Sequence, residues 1–439
     1  MTSDMLKSQN RWLVLFLLTL VYVFNFIDRQ ILGILAPFIA ADLGLKDGQI
    51  GLLGGIYFAA FYTLIGIPIA WYADRANRVW IVSVSLGIWS AFTAISGAAQ
   101  NFLHLSLARM GVGIGEAGGS PPSHSIISDL FDKTERSKAL AIYSLGIPLG
   151  IMLAYFLVAY LLSRPSDQPF DWRLVFYLIG GLGVAFAVVV RLIIREPERG
   201  AMEAREGVSV STKKVSVLKA IAHLLGIKSW IGMCAGISLA SYGGYALSTF
   251  LVKYMVQAFP DSNMGNLYLV LGILNGIVYT AGVFIGGAIC DRYGRKNRGA
   301  YAFIPAISVL IAAPAMLLTI WAGQLTLSFV ALSFYLFFIG VYLGPSFSIA
   351  QTLAPISMRA MSTAIFFFIL NMIAMGGGPT ITGFLSDWFG ETHGATHGLR
   401  LALSTLMVPF ALSTLAFLWT SRHLPKDWKA AESLNENGG

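Results

Sequence analysis

The run GAICDRYGRK at residues 287–296 decides how the chain folds, because AWYADRANR at residues 70–78 anticipates it. Asp291 lies 217 residues after Asp74, about half of the 439-residue chain. Each run closes a long apolar stretch and sets its charges just past the last apolar residues. Same-sense repeats half a chain apart imply two equivalent helical bundles related by an axis along a membrane normal. The composition requires the membrane: 56% of the residues are hydrophobic and 12% charged, whereas about a quarter are charged in soluble domains.

Working outward, apolar runs near the ~20 residues needed to cross a bilayer recur twelve times. They fall at 12–39, 49–72, 79–101, 103–128, 138–162, 173–194, 229–257, 264–289, 299–321, 325–350, 358–384 and 398–421. The expected fold is therefore an all-α membrane protein, with twelve transmembrane helices in two pseudo-symmetric six-helix bundles. Residues 1–194 form the first bundle and 229–421 the second. The 195–228 linker is cytoplasmic, and the apolar spacing of 215–227 suits an amphipathic helix lying on the inner leaflet. Residues 422–439 are a cytoplasmic tail.

A net charge of +8 could suggest nucleic acid, but its placement indicates topology. With the N-terminus in the cytoplasm, 23 of the 30 Lys and Arg fall in cytoplasmic segments. Lys46, Arg164, Arg173, Lys253 and Arg400 lie outside, and Arg29 and Arg109 lie within spans. This bias places both termini inside. The expected setting is a multi-pass protein of a bacterial inner membrane, monomeric, with the lipid bilayer and a small molecule as partners. Cys234 and Cys290 sit in or beside apolar spans and read as small packing residues. The first apolar run is too long for a cleavable signal and stays as the first span.

Residues 103–131, LHLSLARMGVGIGEAGGSPPSHSIISDLF, carry charge where a membrane helix should carry none. An ionised group at bilayer depth costs at least ~2.5–3.5 kcal/mol, so it faces protein or water and has partners. Arg109 and Glu116 are seven positions apart, roughly 10.5 Å along one helix face. Span one adds Asp28 and Arg29, which fall between those two in depth. The expected arrangement is a crossed quartet, Asp28 near Arg109 and Arg29 near Glu116, with no net charge when all are ionised. Asn25, one turn before Asp28, can donate to it.

The second half keeps ionisable residues out of its spans from the eighth onward. Its depth is occupied by Asn275, Asn371, Tyr242, Tyr245 and Phe366, the candidate cavity-lining residues. A cavity polar on one wall and apolar on the other suits a ligand with a charged head and an apolar body.

The Asp-Arg loops at 74 and 291 resemble the best-known signature of the major facilitator superfamily, as do Arg109-x-x-x-Gly113 and the LGIPLG run at 145–150. The resemblance spans nearly the whole chain. Within that superfamily, residues 22–150 resemble the Spinster family of lysolipid and sphingosine-phosphate transporters, in a bacterial-type form. The matching pieces are NFIDR at 25–29, ADRANR at 73–78, GIGEA at 113–117, ISDLF at 127–131 and RSKALAIYSLGIPLG at 136–150. This resemblance implies transport of a lysophospholipid or sphingoid phosphate linked to protons. Asp28, Arg29, Arg109 and Glu116 would form its central polar site.

The expected function is secondary active transport by proton-coupled alternating access, with protons as coupling ion and no other cofactor. An anionic head on Arg109 would displace a carboxylate, which in a low-dielectric site then takes up a proton. Asp74, Arg75, Arg78, Asp291, Arg292 and Arg295 read as a conformational gate at the cytoplasmic mouth. The six histidines lack metal-ligand spacing on one helix face, so no metal is expected. Two other readings stay open: a proton-linked carrier of small organic anions or drugs, and a membrane-embedded lipid-binding sensor or enzyme without transport. No Ser/His/Asp cluster or phosphate-binding loop supports an enzyme.

Overall fold

The computed structural model describes residues 9–73, 75–165, 169–199, 217–355 and 358–436. Among them ten helical stretches are long and apolar enough to cross a membrane. The fourth and seventh expected spans are also helical, but charges in one and Gly, Ser and Tyr in the other dilute their apolarity. Large apolar side chains such as Leu192, 77% exposed, and Trp388, 64% exposed, point outward. Helices are what this solvent permits, since each satisfies its own backbone polar groups.

Spatial grouping divides the chain into two units. One holds Met1–Leu45, Tyr57–Val210 and Asn263–Gly272, the other Lys46–Ile56, Ser211–Ser262 and Ile273–Gly439. The division follows the two sequence halves except at two short segments, 46–56 and 263–272, each of which groups with the other half.

In the first unit α1 (Arg11–Leu43) begins where Asn10 accepts hydrogen bonds from Trp12 N and Leu13 N. It runs 33 residues, roughly 50 Å, and ends at Gly44. That residue has φ 61° and donates its N–H to Ala40 O, a left-handed cap that glycine adopts without steric cost. After α3 (Ile56–Ala73), Asn77 caps α4 (Arg78–Gly97) and Asn101 caps α5 (Phe102–Glu116). Side-chain oxygens here satisfy N–H groups that the first helical turn leaves free. The fourth expected span is two helices: α5 stops before Gly118 and Gly119, and Pro121 and Pro122 restart the chain as α6 (Ser120–Leu130). α7 (Lys133–Ser144), α8 (Gly146–Leu162) and α9 (Trp172–Ile193) follow.

Close packing of this unit rests on missing side chains. A Cβ on Gly180 of α9 would lie 2.5 Å from Ala94 N and Ser90 O of α4. One on Gly115 of α5 would lie 2.6 Å from Trp89 N, and one on Gly150 of α8 2.6 Å from Val23 O. Small residues let backbones approach where dispersion, not water, drives association.

The second unit contains α2 (Asp47–Gly54), which precedes α3 in sequence. Within the expected linker, Val217–Leu225 forms a short helix, α10; residues 200–216 lie outside the described residues. Then come α11 (Lys228–Ala258), α12 (Met264–Ile273, grouped with the first unit), α13 (Tyr279–Gly294), α14 (Ala300–Trp321), α15 (Leu325–Gly340) and α16 (Leu343–Thr352). The set closes with α17 (Arg359–Leu370), α18 (Gly378–His393), α19 (Ala395–Ser404) and α20 (Met407–Glu436). π-helical turns at Leu274–Val278 and Asn371–Gly377 join α12 to α13 and α17 to α18. Two buried polar pairs tie its helices: Trp230 Nε1 donates to Ser362 Oγ at 2.9 Å, and Ser413 Oγ donates to Gly236 O at 2.7 Å.

Candidate functional site

The first unit brings the charged residues of α1 and α5 together. Asp28 and Glu116 are fully buried, and Asn25 and Arg109 are each 2% exposed. Glu116 Oε2 accepts from Arg29 Nε at 2.7 Å and from Asn25 Nδ2 at 2.8 Å. Arg109 Nη1 donates to the backbone carbonyl of Asp28 at 3.1 Å. Arg29 and Glu116 thus form an ion pair, while Arg109 meets the main chain of Asp28. Asn25 donates to Glu116, not to Asp28 as its spacing suggested, because Glu116 lies across from both Asn25 and the next-turn Arg29.

This set is incompletely satisfied. Among the described residues, neither oxygen of the Asp28 carboxylate accepts a hydrogen bond of ordinary geometry. Arg109 Nε, Glu116 Oε1 and Asn25 Oδ1 likewise lack partners. Thr93 and Trp89 of α4 are the polar neighbours of Asp28. Buried polar atoms are normally paired, so a cluster of unpaired ones marks a place that a ligand, a proton or water completes.

Aromatic rings finish the site. The Arg29 guanidinium lies over Tyr62 at 4.6 Å, Phe26 at 5.3 Å and Phe58 at 5.5 Å. Arg109 lies over the same Phe58 ring at 5.3 Å. Such contacts hold a cation by the ring quadrupole. Gly113 makes this possible, because a Cβ there would lie 2.8 Å from Phe58 O and keep α3 away from α5. Sequence reasoning missed the three rings, since phenylalanine and tyrosine fill apolar spans throughout the chain; the available signal was the one-turn spacing of Phe58 and Tyr62, which face Gly113 of α5.

Of the expected gate, Asp74 lies outside the described residues. Arg75 folds back on its own helix, donating to Trp71 O at 2.9 Å with its guanidinium over the Trp71 ring. Arg78 is 1% exposed. It pairs with Asp129 of α6 and, at 2.6 Å, with Glu196, and it donates to Ser125 Oγ and Pro197 O. Asp291, Arg292 and Arg295 are exposed at the end of α13, with Tyr301 beside Asp291.

The cavity-lining candidates separate. Tyr242 and Tyr245 are half-buried on α11, and Asn275 and Asn371 both sit on the π-helical turns. Such turns recur at functional positions in helices. Phe366 is 1% exposed and packs against Trp230 and Phe347. That is an interior position, while its neighbours Phe367 and Phe368 are exposed.

A family model described as Major Facilitator Superfamily matches residues 18–379, and the chain belongs to that superfamily. It is 30% identical to an MFS-type efflux pump of Mycolicibacterium smegmatis, covering 95% of this chain and 94% of that one. It is 26% identical to the sphingosine-1-phosphate transporter SPNS2 of Danio rerio, over 94% and 85% of the two chains. The solved structure of a bacterial homolog to the human lysosomal transporter Spinster, inward-facing and unoccupied, superposes with a TM-score of 0.83 at 28% identity. It covers 95% of this chain and 98% of that one. The chain is thus a multi-pass membrane transporter related to the Spinster proteins, and not an enzyme.

Proposed function

We propose that the chain moves an amphipathic, anionic lipid-like substrate, a lysophospholipid or sphingoid phosphate, by proton-coupled alternating access. Its setting is a bacterial inner membrane with both termini cytoplasmic. The reading is carried by Glu116, a fully buried carboxylate whose counter-charge, Arg29, is the one accessible cation of the quartet: the Arg29 side chain is 13% exposed. An anionic head therefore reaches Arg29 before Arg109 and competes with Glu116 for it. Breaking a buried ion pair by removing one partner costs about 3–5 kcal/mol. Glu116 escapes that cost by taking a proton, so head-group binding and proton uptake favour each other. Asp28, whose carboxylate accepts no hydrogen bond of ordinary geometry among the described residues, is the alternative acceptor of that proton. Rocking of the two bundles about this midplane site would then carry both species across. The kinship to a sphingosine-1-phosphate transporter supports the substrate class.

The test is lysolipid flux into proteoliposomes with and without a pH gradient. Glu116→Gln should leave the protein folded and remove the response to the gradient. Unaltered flux with an unaltered pH response refutes the assignment. A second reading, a carrier of small organic anions or drugs through the same arginine, is favoured by the efflux-pump relative. Aromatic carboxylates that compete where lysolipids do not would establish it, and binding without any flux would point to a sensor.

A further inference from the structure

The segment 46–56 comes from the first half of the sequence yet packs within the second unit. The backbone N–H groups of Asp47 and Gly48, which open α2, donate to the two carboxylate oxygens of Asp387 on α18 at 2.9 and 2.8 Å. The Asp47 carboxylate accepts from Ser386 Oγ at 2.6 Å and pairs with Lys253 of α11. Asp47 is 7% and Lys253 9% exposed, so this ion pair is largely dry. Asp387 also sets a negative charge at a helix N-terminus, where the helix dipole favours it.

Beyond the charges the seam is backbone on backbone. A Cβ on Gly51 would lie 2.4 Å from Pro379 O, and one on Gly383 would lie 2.3 Å from Asp47 O. Thr380 Oγ1 accepts from Ile56 N and donates to Gly51 O, both at 3.2 Å. The repeat supplies a counterpart. Gly265 and Gly272 lie 217 residues after Gly48 and Gly55, the same displacement that relates Asp291 to Asp74. Their segment, 263–272, has crossed the other way and packs within the first unit. There Tyr268 donates to Ile34 O at 2.9 Å, among Phe38 and Tyr155. One crossed segment is held by rings, the other by a buried ionic cluster.

We infer that Asp47, Lys253, Ser386 and Asp387 form an ionic latch that holds α2 on α18, and that the transport cycle must open it. This rests on the alternating-access reading, in which each end of the bundles parts in turn. Water entering an opened seam solvates Asp47, Lys253 and Asp387, so the ionic seam loses little by opening once it is wet. The aromatic seam regains no such hydration. The ionic seam is therefore the one that can release.

The latch can be tested on the purified full-length chain without any substrate. Cys234 and Cys290 are buried, so spin labels on Lys46→Cys and Glu391→Cys, both exposed positions, report the separation of α2 from the end of α18. The unmodified latch should give mainly one short distance. Lys253→Met, Asp387→Asn and, by steric wedging alone, Gly51→Ala should each add a population longer by ~5 Å or more, about one helical turn. Lys253→Arg should retain the short distance. An unchanged distribution in all three, with thermal unfolding showing them folded, overturns the latch. Failure of the transport reading shows separately, as absent lysolipid flux by the protein with its latch intact.

Discussion

Arg78 and Arg295 occupy the same place in the two repeats, 217 residues apart, yet differ in every contact. Arg78 is buried against Asp129 and Glu196, and Glu196 also accepts from Val79 N at 2.9 Å. Arg295 is exposed. Arg78→Ala leaves two carboxylates facing an empty place and should cost about 3–5 kcal/mol, whereas Arg295→Ala should stay within ~0.5 kcal/mol. Thermal unfolding in detergent would show a marked drop for the first and almost none for the second; equal shifts would sink the distinction. The two arginines are alike in sequence because their local runs are alike. Glu196 lies 118 residues beyond Arg78, past the end of α9, and no local spacing announces it. The quartet of Asp28, Arg29, Arg109 and Glu116 was legible for the opposite reason: charges inside apolar runs are rare enough to be noticed singly. Their partners were only half legible, since α-carbon spacing gives depth and face but not whether Arg109 meets a carboxylate or, as here, a carbonyl.

The spans themselves were legible at the level of the element, because a bilayer demands long apolar runs and the sequence supplies them. Their interruptions were not. The break at Gly118 and Gly119 and the π-helical turns at 274–278 and 371–377 change no hydropathy, and glycine serves equally as a hinge and as a packing surface. Adjacent glycines of α9 separate these roles. Gly180 abuts the α4 backbone, whereas a Cβ on Gly181 would meet nothing within 4 Å. Backbone atoms cannot swing aside as a side chain can, so Gly180→Val should destabilise by about 1–3 kcal/mol through overpacking. Gly181→Val should be neutral to slightly stabilising, as the valine enters an open apolar face. Unfolding temperatures of the two variants provide the check, and a Gly181→Val loss as large as that of Gly180→Val would show that the close approach does not set the cost at Gly180.

For the molecule as a whole, the repeat made the two halves readable, but the exchange of 46–56 and 263–272 between units was not. Gly48 and Gly265 share a displacement without saying what either touches; that emerged only from the contacts with Asp387 and Ser163. On the proposed transport reading, function at this scale depends on how charge is conserved when a ligand arrives. The quartet is neutral with all four groups ionised, so an anion on Arg29 leaves one uncompensated negative charge in a dry interior. Uptake of a single proton restores neutrality; two would leave the site positive. Linkage then makes the coupling reciprocal: each proton bound with the head group raises its affinity by up to tenfold per unit fall in pH. Equilibrium binding of a lysophospholipid to the detergent-purified protein, measured across pH, should therefore weaken toward alkaline pH with a limiting slope near one decade per pH unit. Glu116→Gln should flatten that slope while retaining binding, because glutamine is already neutral and does not compete as a carboxylate for Arg29. A slope that persists in Glu116→Gln but vanishes in Asp28→Asn would move the proton to Asp28. A flat profile in the unaltered protein would separate head-group binding from proton movement altogether.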